Sequence, residues 1–267
     1  GMQTEAHETA VLLNANARRV SPRVRQQVRR LVPPENVYFT RSLEEAEEAS
    51  REILERGYRR VVAGGGDGTL SLLMDNLCRA VETLHPDLRP DLPEIGVLKL
   101  GTGNALASHV GARSVRRDLD RLGADQPGVN LPLHLIEVGG RLAFFAGAGV
   151  DAMVLNDYVA IKERLRRHLA RRGEGILAYF LAAFGHTVPR LLTTQRERPI
   201  VRITNLGRPA WRVSAQGLPM GSPIPTGAVL YEGPSICASA GTLPYYGAGM
   251  QMFPFACDRA GHMQLRV

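Results

Sequence analysis

Short apolar runs alternate with amphipathic segments along the first hundred residues of the chain. Four of these runs, at residues 10–14, 37–40, 58–63 and 95–100, end in polar or glycine residues and predict buried strands. The intervening segments repeat their apolar positions with the period of a helix, which predicts helices at residues 21–31, 42–56 and 70–84 and another that begins at Ala105. Strands that alternate with helices in this way predict α/β architecture with a doubly wound parallel sheet.

The ends of two predicted helices carry their own signals. Ser21 can cap the first helix, and Pro22 suits its first turn. Ser42 and Glu45 have the spacing of a capping box at the start of the second helix, and Gly57 is expected to end it.

The pattern changes from about residue 126, where short apolar runs lie between glycine- and proline-rich turns. Residues 133–138 and 142–146 flank Gly139 and Gly140, which predicts a hairpin. Further short strands are predicted at residues 200–204, 228–231 and 263–267, with a helical insertion near residues 156–191. We therefore expect an N-terminal α/β domain over residues 1–127 and a C-terminal β-rich domain over residues 128–267.

A glycine-rich loop follows the third predicted strand and contains Gly64, Gly65, Gly66, Asp67, Gly68 and Thr69. Glycines let backbone N–H groups approach a phosphate without obstruction by a Cβ atom. The carboxylate of Asp67 would repel a phosphate, which favours a divalent cation such as Mg²⁺ between them, or a role in proton transfer. The alternative is a tight turn without a ligand.

Two familiar phosphate motifs do not fit this loop. A P-loop requires lysine before its final Ser or Thr, and the loop contains no lysine. The dinucleotide fingerprint requires glycine at its sixth position, which is Thr69 when counted from Gly64.

A second polar glycine loop follows the fourth predicted strand and consists of Gly101, Thr102, Gly103 and Asn104. Because ligands of open α/β sheets bind at the carboxyl ends of the strands, the two loops are expected to converge on one crevice.

Composition and charge narrow the class of protein. The chain has 267 residues, of which 44% are hydrophobic, and its net charge of +7 favours anionic partners. The scattered cysteines Cys78, Cys237 and Cys257 lack metal or redox spacing, which indicates a reducing cytoplasm. No secretory signal and no apolar run of about 20 residues is visible, and Gly1-Met2 is typical of a cloning remnant. Nucleic acid is not an expected partner, since aromatic residues are only 6% and no recognised motif occurs.

The two loops together resemble those of the diacylglycerol kinase catalytic-domain family, which is related to sphingosine kinases and, more distantly, NAD kinases. The resemblance rests on the sequences GGDGT at residues 65–69 and LGTGN at residues 100–104. Residues 147–152, 175–179 and 244–250 are similar to stretches of the bacterial soluble lipid kinases, in the same order.

This resemblance implies a nucleotide-binding α/β domain, a sandwich-like second domain and an active site in the cleft. It implies transfer of the γ-phosphate of ATP, with Mg²⁺, to a hydroxyl of diacylglycerol or a related lipid. Asp67 becomes the candidate catalytic residue and metal ligand. The implied nucleotide contacts are Asn14, Thr40, Gly64, Gly65, Gly66, Asp67, Gly68, Thr69, Leu70, Ser71, Gly101, Thr102, Gly103 and Asn104.

Four positions depart from the family pattern. Ala15 follows Asn14 where the family has proline, and Ala105 follows Asn104 where the family has aspartate. Ala260 replaces an aspartate of a structural metal site, which leaves Asp258 as the nearby candidate ligand. The sequence ends at Val267, whereas family members continue to an Asp-Gly-Glu segment that carries the proposed base. We expect either a longer natural chain or a protein without that base.

Three functions remain open on these grounds. The first is a lipid kinase, the second a non-catalytic nucleotide- or lipid-binding pseudokinase, and the third a kinase similar to NAD kinase. The first predicts a cytoplasmic protein that binds peripherally at the inner membrane face.

Residues 161–172 are either a basic membrane-surface helix or a solvated helix, and residues 176–184 either line an acyl pocket or pack in the core. A homodimer also stays open.

Overall fold

The structure is a computed structural model. It describes residues 9–17, 19–84, 86–87, 91–101, 104–123, 129–149, 185, 199–247 and 250–267. The chain divides into two compact units: the first comprises residues 1–144, 242–252 and 259–262, and the second residues 145–241, 253–258 and 263–267. The boundary expected after residue 127 stays a prediction.

A four-stranded parallel sheet forms the centre of the first unit. Its strands are β1 (Thr9–Asn14), β2 (Val37–Thr40), β3 (Arg60–Gly65) and β4 (Glu94–Lys99), and they lie in the order β2-β1-β3-β4. All three strand pairs are parallel. The sequence prediction of a parallel sheet is therefore confirmed.

Five helices accompany this sheet: α1 (Pro22–Leu31), α2 (Leu43–Glu55), α3 (Asp67–Leu84), α4 (Ala105–His109) and α5 (Val115–Gly123). The predicted caps are present, since the hydroxyls of Ser21 and Ser42 accept hydrogen bonds from Val24 N and Glu45 N. The reciprocal bond of the capping box differs from the expectation, because Glu45 Oε2 accepts from Arg41 N at 2.7 Å rather than from Ser42. Helix α5 was not predicted.

The helices cover both faces of the sheet. Val11, Leu13 and Val62 share one buried cluster with Val28 of α1 and Leu119 of α5, which places these two helices on the same face. Alternate strand residues, such as the buried Leu12 and Ala63, point to the opposite face. Helices α2 and α3 pack against each other on that side.

A hairpin and a short ribbon complete the first unit. Strands β5 (Ile136–Val138) and β6 (Arg141–Ala143) pair antiparallel around Gly139 and Gly140, whose φ angles are 56° and 73°. The hairpin is confirmed, although the predicted strand at residues 142–146 is divided at Phe144. Strands β13 (Tyr245–Gly247) and β14 (Met250–Gln251) form the ribbon, and β13 packs on α4.

Antiparallel pairs of strands make up the described part of the second unit. Its strands are β7 (Phe145–Gly149), β8 (Ile200–Thr204), β9 (Ala210–Val213), β10 (Pro219–Ile224), β11 (Val229–Pro234), β12 (Cys237–Gly241) and β15 (Gln264–Arg266). They form sheets β15-β12-β7, β11-β8 and β10-β9. This confirms a β-rich C-terminal region, whereas the predicted helical insertion lies outside the described residues except for Gly185. Across the described ranges, no helix is both long and apolar enough to cross a membrane.

Candidate functional site

The predicted site lies at the carboxyl edge of the parallel sheet. The order β2-β1-β3-β4 means that the chain leaves β1 toward one side and β3 toward the other. The crevice between β1 and β3 is therefore the topological switch point, where open α/β sheets bind ligands. A hydrogen bond spans this point, since Asn14 Nδ2 at the end of β1 donates to Thr69 Oγ1 at 3.0 Å.

The first glycine loop is shorter than the sequence predicted. Strand β3 extends through Gly65 and α3 already begins at Asp67, so Gly66 alone separates them. The predicted ends at residues 63 and 70 were wrong because Gly64 and Gly65 pair with neighbouring strands, and the ladder outweighs the low strand propensity of glycine. The amides of Thr69 and Leu70 both donate to Gly66 O, which closes the first turn of the helix.

Helix α3 has 18 residues and begins directly after this short junction, so its N-terminus faces the crevice. The first amides of a helix have no acceptor within the helix, and its dipole places partial positive charge at this end. Both properties favour a bound phosphate.

The glycines of this loop serve different purposes. A Cβ atom at Gly64 would collide with Leu13 and Leu100, and one at Gly65 would collide with Thr69. A Cβ atom at Gly68 would have no atom within 4 Å. Gly64 and Gly65 are therefore needed for packing, whereas Gly68 borders open space.

The second loop is closed by the side chain of Asn104. Its Oδ1 accepts from Gly101 N at 3.0 Å, and its Nδ2 donates to Gly101 O at 2.7 Å. Asn104 is buried and adopts a left-handed conformation with φ of 51°. Thr102 and Gly103, the other predicted nucleotide contacts of this loop, lie outside the described residues.

The two loops touch through their backbones. A Cβ atom on Gly101 would collide with the α-carbon of Gly66 and would lie 2.7 Å from Gly65 O. Only glycine permits this approach, so the sequence expectation that the loops converge agrees with their backbone contact.

Asp67 forms a second connection between the loops. Its Oδ2 accepts from Ala105 N at 3.0 Å and its Oδ1 from Leu106 N at 3.1 Å, so the carboxylate caps α4. Sequence reasoning missed this contact, because it treated Asp67 only as a metal ligand and catalytic group. Each carboxylate oxygen keeps a second acceptor position, and the catalytic and metal roles stay predictions.

The loops after β1 and β2 are also joined. Ala15 N donates to Thr40 O at 2.8 Å, and Asn16 Nδ2 donates to Arg41 O at 2.6 Å. Proline has no N–H, so the family's proline could not make the bond of Ala15. Asn14 also shapes this corner, since its Oδ1 accepts from Asn16 N at 2.9 Å.

The remaining predicted contacts differ in accessibility. Thr40 and Leu70 are buried, whereas Ser71 is half-buried. His109, which ends α4, is half-buried, and burial lowers the pKa of its imidazole.

Metal ligands are sparse in the part of the chain that the structure describes. No group of three or more His, Cys, Asp or Glu residues there could hold a metal ion. Asp258 is exposed, and its backbone N–H donates to Phe255 O in a turn. The metal role of Asp258 stays a prediction.

An open parallel sheet whose glycine-rich loops meet at the carboxyl edge defines an α/β domain of the ligand-binding, doubly wound class. Residues 8–126 match the family model for the diacylglycerol kinase catalytic domain. The match places residues 8–126, which are less than half of the chain, in the diacylglycerol kinase catalytic-domain family.

A curated relative supports this assignment. The probable lipid kinase YegS of Shigella flexneri is 25% identical to the chain over 219 residues. The aligned region covers 81% of this chain and 58% of the relative, so the chain spans just under three fifths of that protein's length.

Proposed function

We propose that the protein is an ATP-dependent lipid kinase that transfers a phosphoryl group to a hydroxyl of diacylglycerol or a related lipid. The observation that carries this proposal is the backbone contact between Gly66 and Gly101, which joins two glycine loops at the switch point of the sheet. Family membership and the name of the relative, a probable lipid kinase, give the reaction class.

The first loop supplies the phosphate site in this proposal. The N-terminus of α3 directs amides and positive partial charge at the crevice, and Gly68 leaves room for the ligand. Gly101 and Asn104 hold the second loop against the first, so the two walls of the site are fixed before ATP binds. Such fixed positioning is the main requirement of phosphoryl transfer.

The donor set around Asp67 fits a magnesium ion that arrives with the nucleotide. Mg²⁺ in kinases is commonly held by one or two carboxylates together with the phosphates and water, so a cluster of protein ligands is not required. When bound, the ion neutralises charge on the phosphates. The amides of Ala105 and Leu106 fix the direction of the Asp67 carboxylate and leave one acceptor position on each oxygen, so one oxygen can hold the ion while the other accepts a proton.

The acceptor hydroxyl must lose a proton during transfer, and a carboxylate is a suitable base. We assign this role of base to Asp67, because its carboxylate lies at the crevice. The proposed lipid acceptor places the protein peripherally at a membrane surface.

The test separates binding from transfer. Calorimetry measures the affinity for Mg-ATP, and a second assay follows radiolabel from the γ-phosphate of ATP into a lipid extract. Gly101→Ala is expected to weaken Mg-ATP binding by about ten-fold or more, because the new methyl group would push the two loops apart.

The matched control is Gly207→Ala. A Cβ atom there would come no closer than 3.8 Å to a neighbouring atom, so binding should stay within about two-fold of the wild type. Mg-ATP binding without labelled lipid from a broad extract would support a binding protein instead of a kinase. Absence of Mg-ATP binding would overturn the proposal.

A further inference from the structure

Positive charge is concentrated on one helical layer of the first unit. Helix α1 contains four arginines and no acidic residue, and Arg19 precedes it. Helix α5 packs beside α1 and adds three arginines and two aspartates. Arg113 lies just before α5. We call this layer the basic surface; its arginines are Arg19, Arg23, Arg25, Arg29, Arg30, Arg113, Arg116, Arg117 and Arg121.

Much of this charge is not compensated within the described chain. The salt bridges there join other arginines, Arg51, Arg56, Arg60, Arg141 and Arg202, to acidic partners. The guanidinium carbons of Arg25 and Arg29 lie 5.2 and 5.3 Å from the centroid of the Phe39 ring, so both cations stack on an aromatic face. The α5 end is partly neutralised, because Asp118 and Asp120 lie on this helix and Asp118 interacts electrostatically with Arg121 and Arg113.

The opposite layer carries the opposite sign. Helix α2 contains six glutamates and one arginine. The connection from β1 to β2 runs away from β3, and the connection from β2 returns past β1, so right-handed crossovers place α1 and α2 on opposite faces. The first unit therefore has a positive face and a negative face.

We propose that the basic surface docks the protein on anionic lipid headgroups. Arg19, Arg23 and Arg30 are exposed and free to meet phosphates in a bilayer surface. A planar anionic surface attracts the α1 face and repels the α2 face, so the charge distribution also sets the orientation. This rests on the proposed function, which requires access to a lipid, and it makes a membrane the favoured partner over another polyanion.

The contribution of each arginine to membrane binding is large enough to measure. A basic residue near an anionic membrane typically strengthens binding about five-fold, and the effect decays within a Debye length of about 8 Å at physiological salt. Removal of three arginines is thus expected to weaken binding roughly 100-fold, with strong sensitivity to salt.

The experiment is co-sedimentation of the full chain with vesicles, without nucleotide. Vesicles of phosphatidylcholine alone are compared with vesicles containing about 30% phosphatidylglycerol, an anionic content that gives a substantial surface potential. The test variant is Arg19→Gln/Arg23→Gln/Arg30→Gln. We expect wild type to bind the anionic vesicles, and the variant to lose about 100-fold in partitioning with an unchanged thermal midpoint.

The control removes the same charge elsewhere. Arg51, Arg59 and Arg79 are exposed and lie outside α1 and α5, so Arg51→Gln/Arg59→Gln/Arg79→Gln lowers the net charge equally. It should retain binding within about three-fold of wild type if location rather than net charge matters.

Four results would overturn the proposal. They are wild type that does not bind anionic vesicles, equal losses in both variants, tighter binding of a DNA duplex than of vesicles, and unchanged binding by the test variant. The last result would move the membrane contact to another basic segment, such as residues 161–172. Because the assay needs neither ATP nor turnover, failure here leaves the kinase proposal standing. Failure of phosphoryl transfer likewise leaves the docking result intact.

Discussion

Asp67 joins two loops whose residues are 38 positions apart in the chain. An aspartate after a run of glycines is easily interpreted as a group for chemistry alone, because its local sequence contains no sign of a distant partner. In the structure the same carboxylate also has a structural role, because it holds the start of α4 against the start of α3.

Removing the Asp67 carboxylate should therefore affect stability as well as binding. Asp67→Ala leaves the amides of Ala105 and Leu106 without their acceptor, and we expect the free energy of unfolding to fall by about 1–3 kcal/mol. Chemical denaturation followed by circular dichroism measures the change. Asp91→Ala, at an exposed residue, is the control, and equal stability of both variants would contradict the structural role.

Ala15 shows how a single departure from a family pattern is accommodated. Its N–H donates to Thr40 O, which joins the loops after β1 and β2. Restoring the family's residue with Ala15→Pro should thus lower the free energy of unfolding, by about 1–2 kcal/mol, because Thr40 O loses its donor. Ala15→Ser retains the N–H and serves as the control in the same denaturation assay. A proline variant as stable as the serine variant would show that this bond is dispensable.

At the scale of elements, Asp75 attaches the β5–β6 hairpin to α3. Its buried carboxylate accepts from Leu142 N at 3.0 Å and pairs with Arg141 Nη1 at 3.0 Å. The arginine side chain is 62% exposed, so the ion pair is screened and the bond to the backbone is the stronger anchor.

This difference predicts an order of effects. Asp75→Ala should cost about 1–3 kcal/mol of unfolding free energy, because it leaves the half-buried amide of Leu142 without its acceptor. Asp75→Asn retains an acceptor and should cost less, and Arg141→Ala should cost under about 1 kcal/mol. Hydrogen exchange at Leu142 is the local measurement. Faster exchange in the arginine variant than in Asp75→Ala would reverse the assignment.

The elements themselves were largely predictable, and their junctions were not. Apolar period and cap residues placed β1, α1, β2 and α2 within one residue or two. The junction of β3 and α3 was misplaced because glycine's local preference for turns competes with strand pairing to β1 and β4, which is a tertiary effect. Helix α5 was not predicted, because its apolar positions are few and its sequence is dominated by arginine and aspartate.

For the whole molecule, the sequence predicted an α/β domain and a β-rich region, and both were found. Charge was harder to interpret, since arginines spread along a sequence do not reveal which helices share a face. Only the packing of Val28 and Leu119 into one cluster shows that α1 and α5 combine their charges. The sequence predicted that the two glycine loops meet at the carboxyl edge of the sheet, but the bonds of Asp67 and Asn104 that hold the loops together depend on the folded chain.

Gly68 and Gly101 would behave differently in a library of randomised codons. A selection for folded protein should admit many residues at Gly68, which borders open space, and should return only glycine at Gly101, which meets another backbone. A selection for nucleotide binding from the same library should return only glycine at position 68 as well. Positions that tolerate substitution in the first selection but not in the second would identify the residues that surround the bound nucleotide.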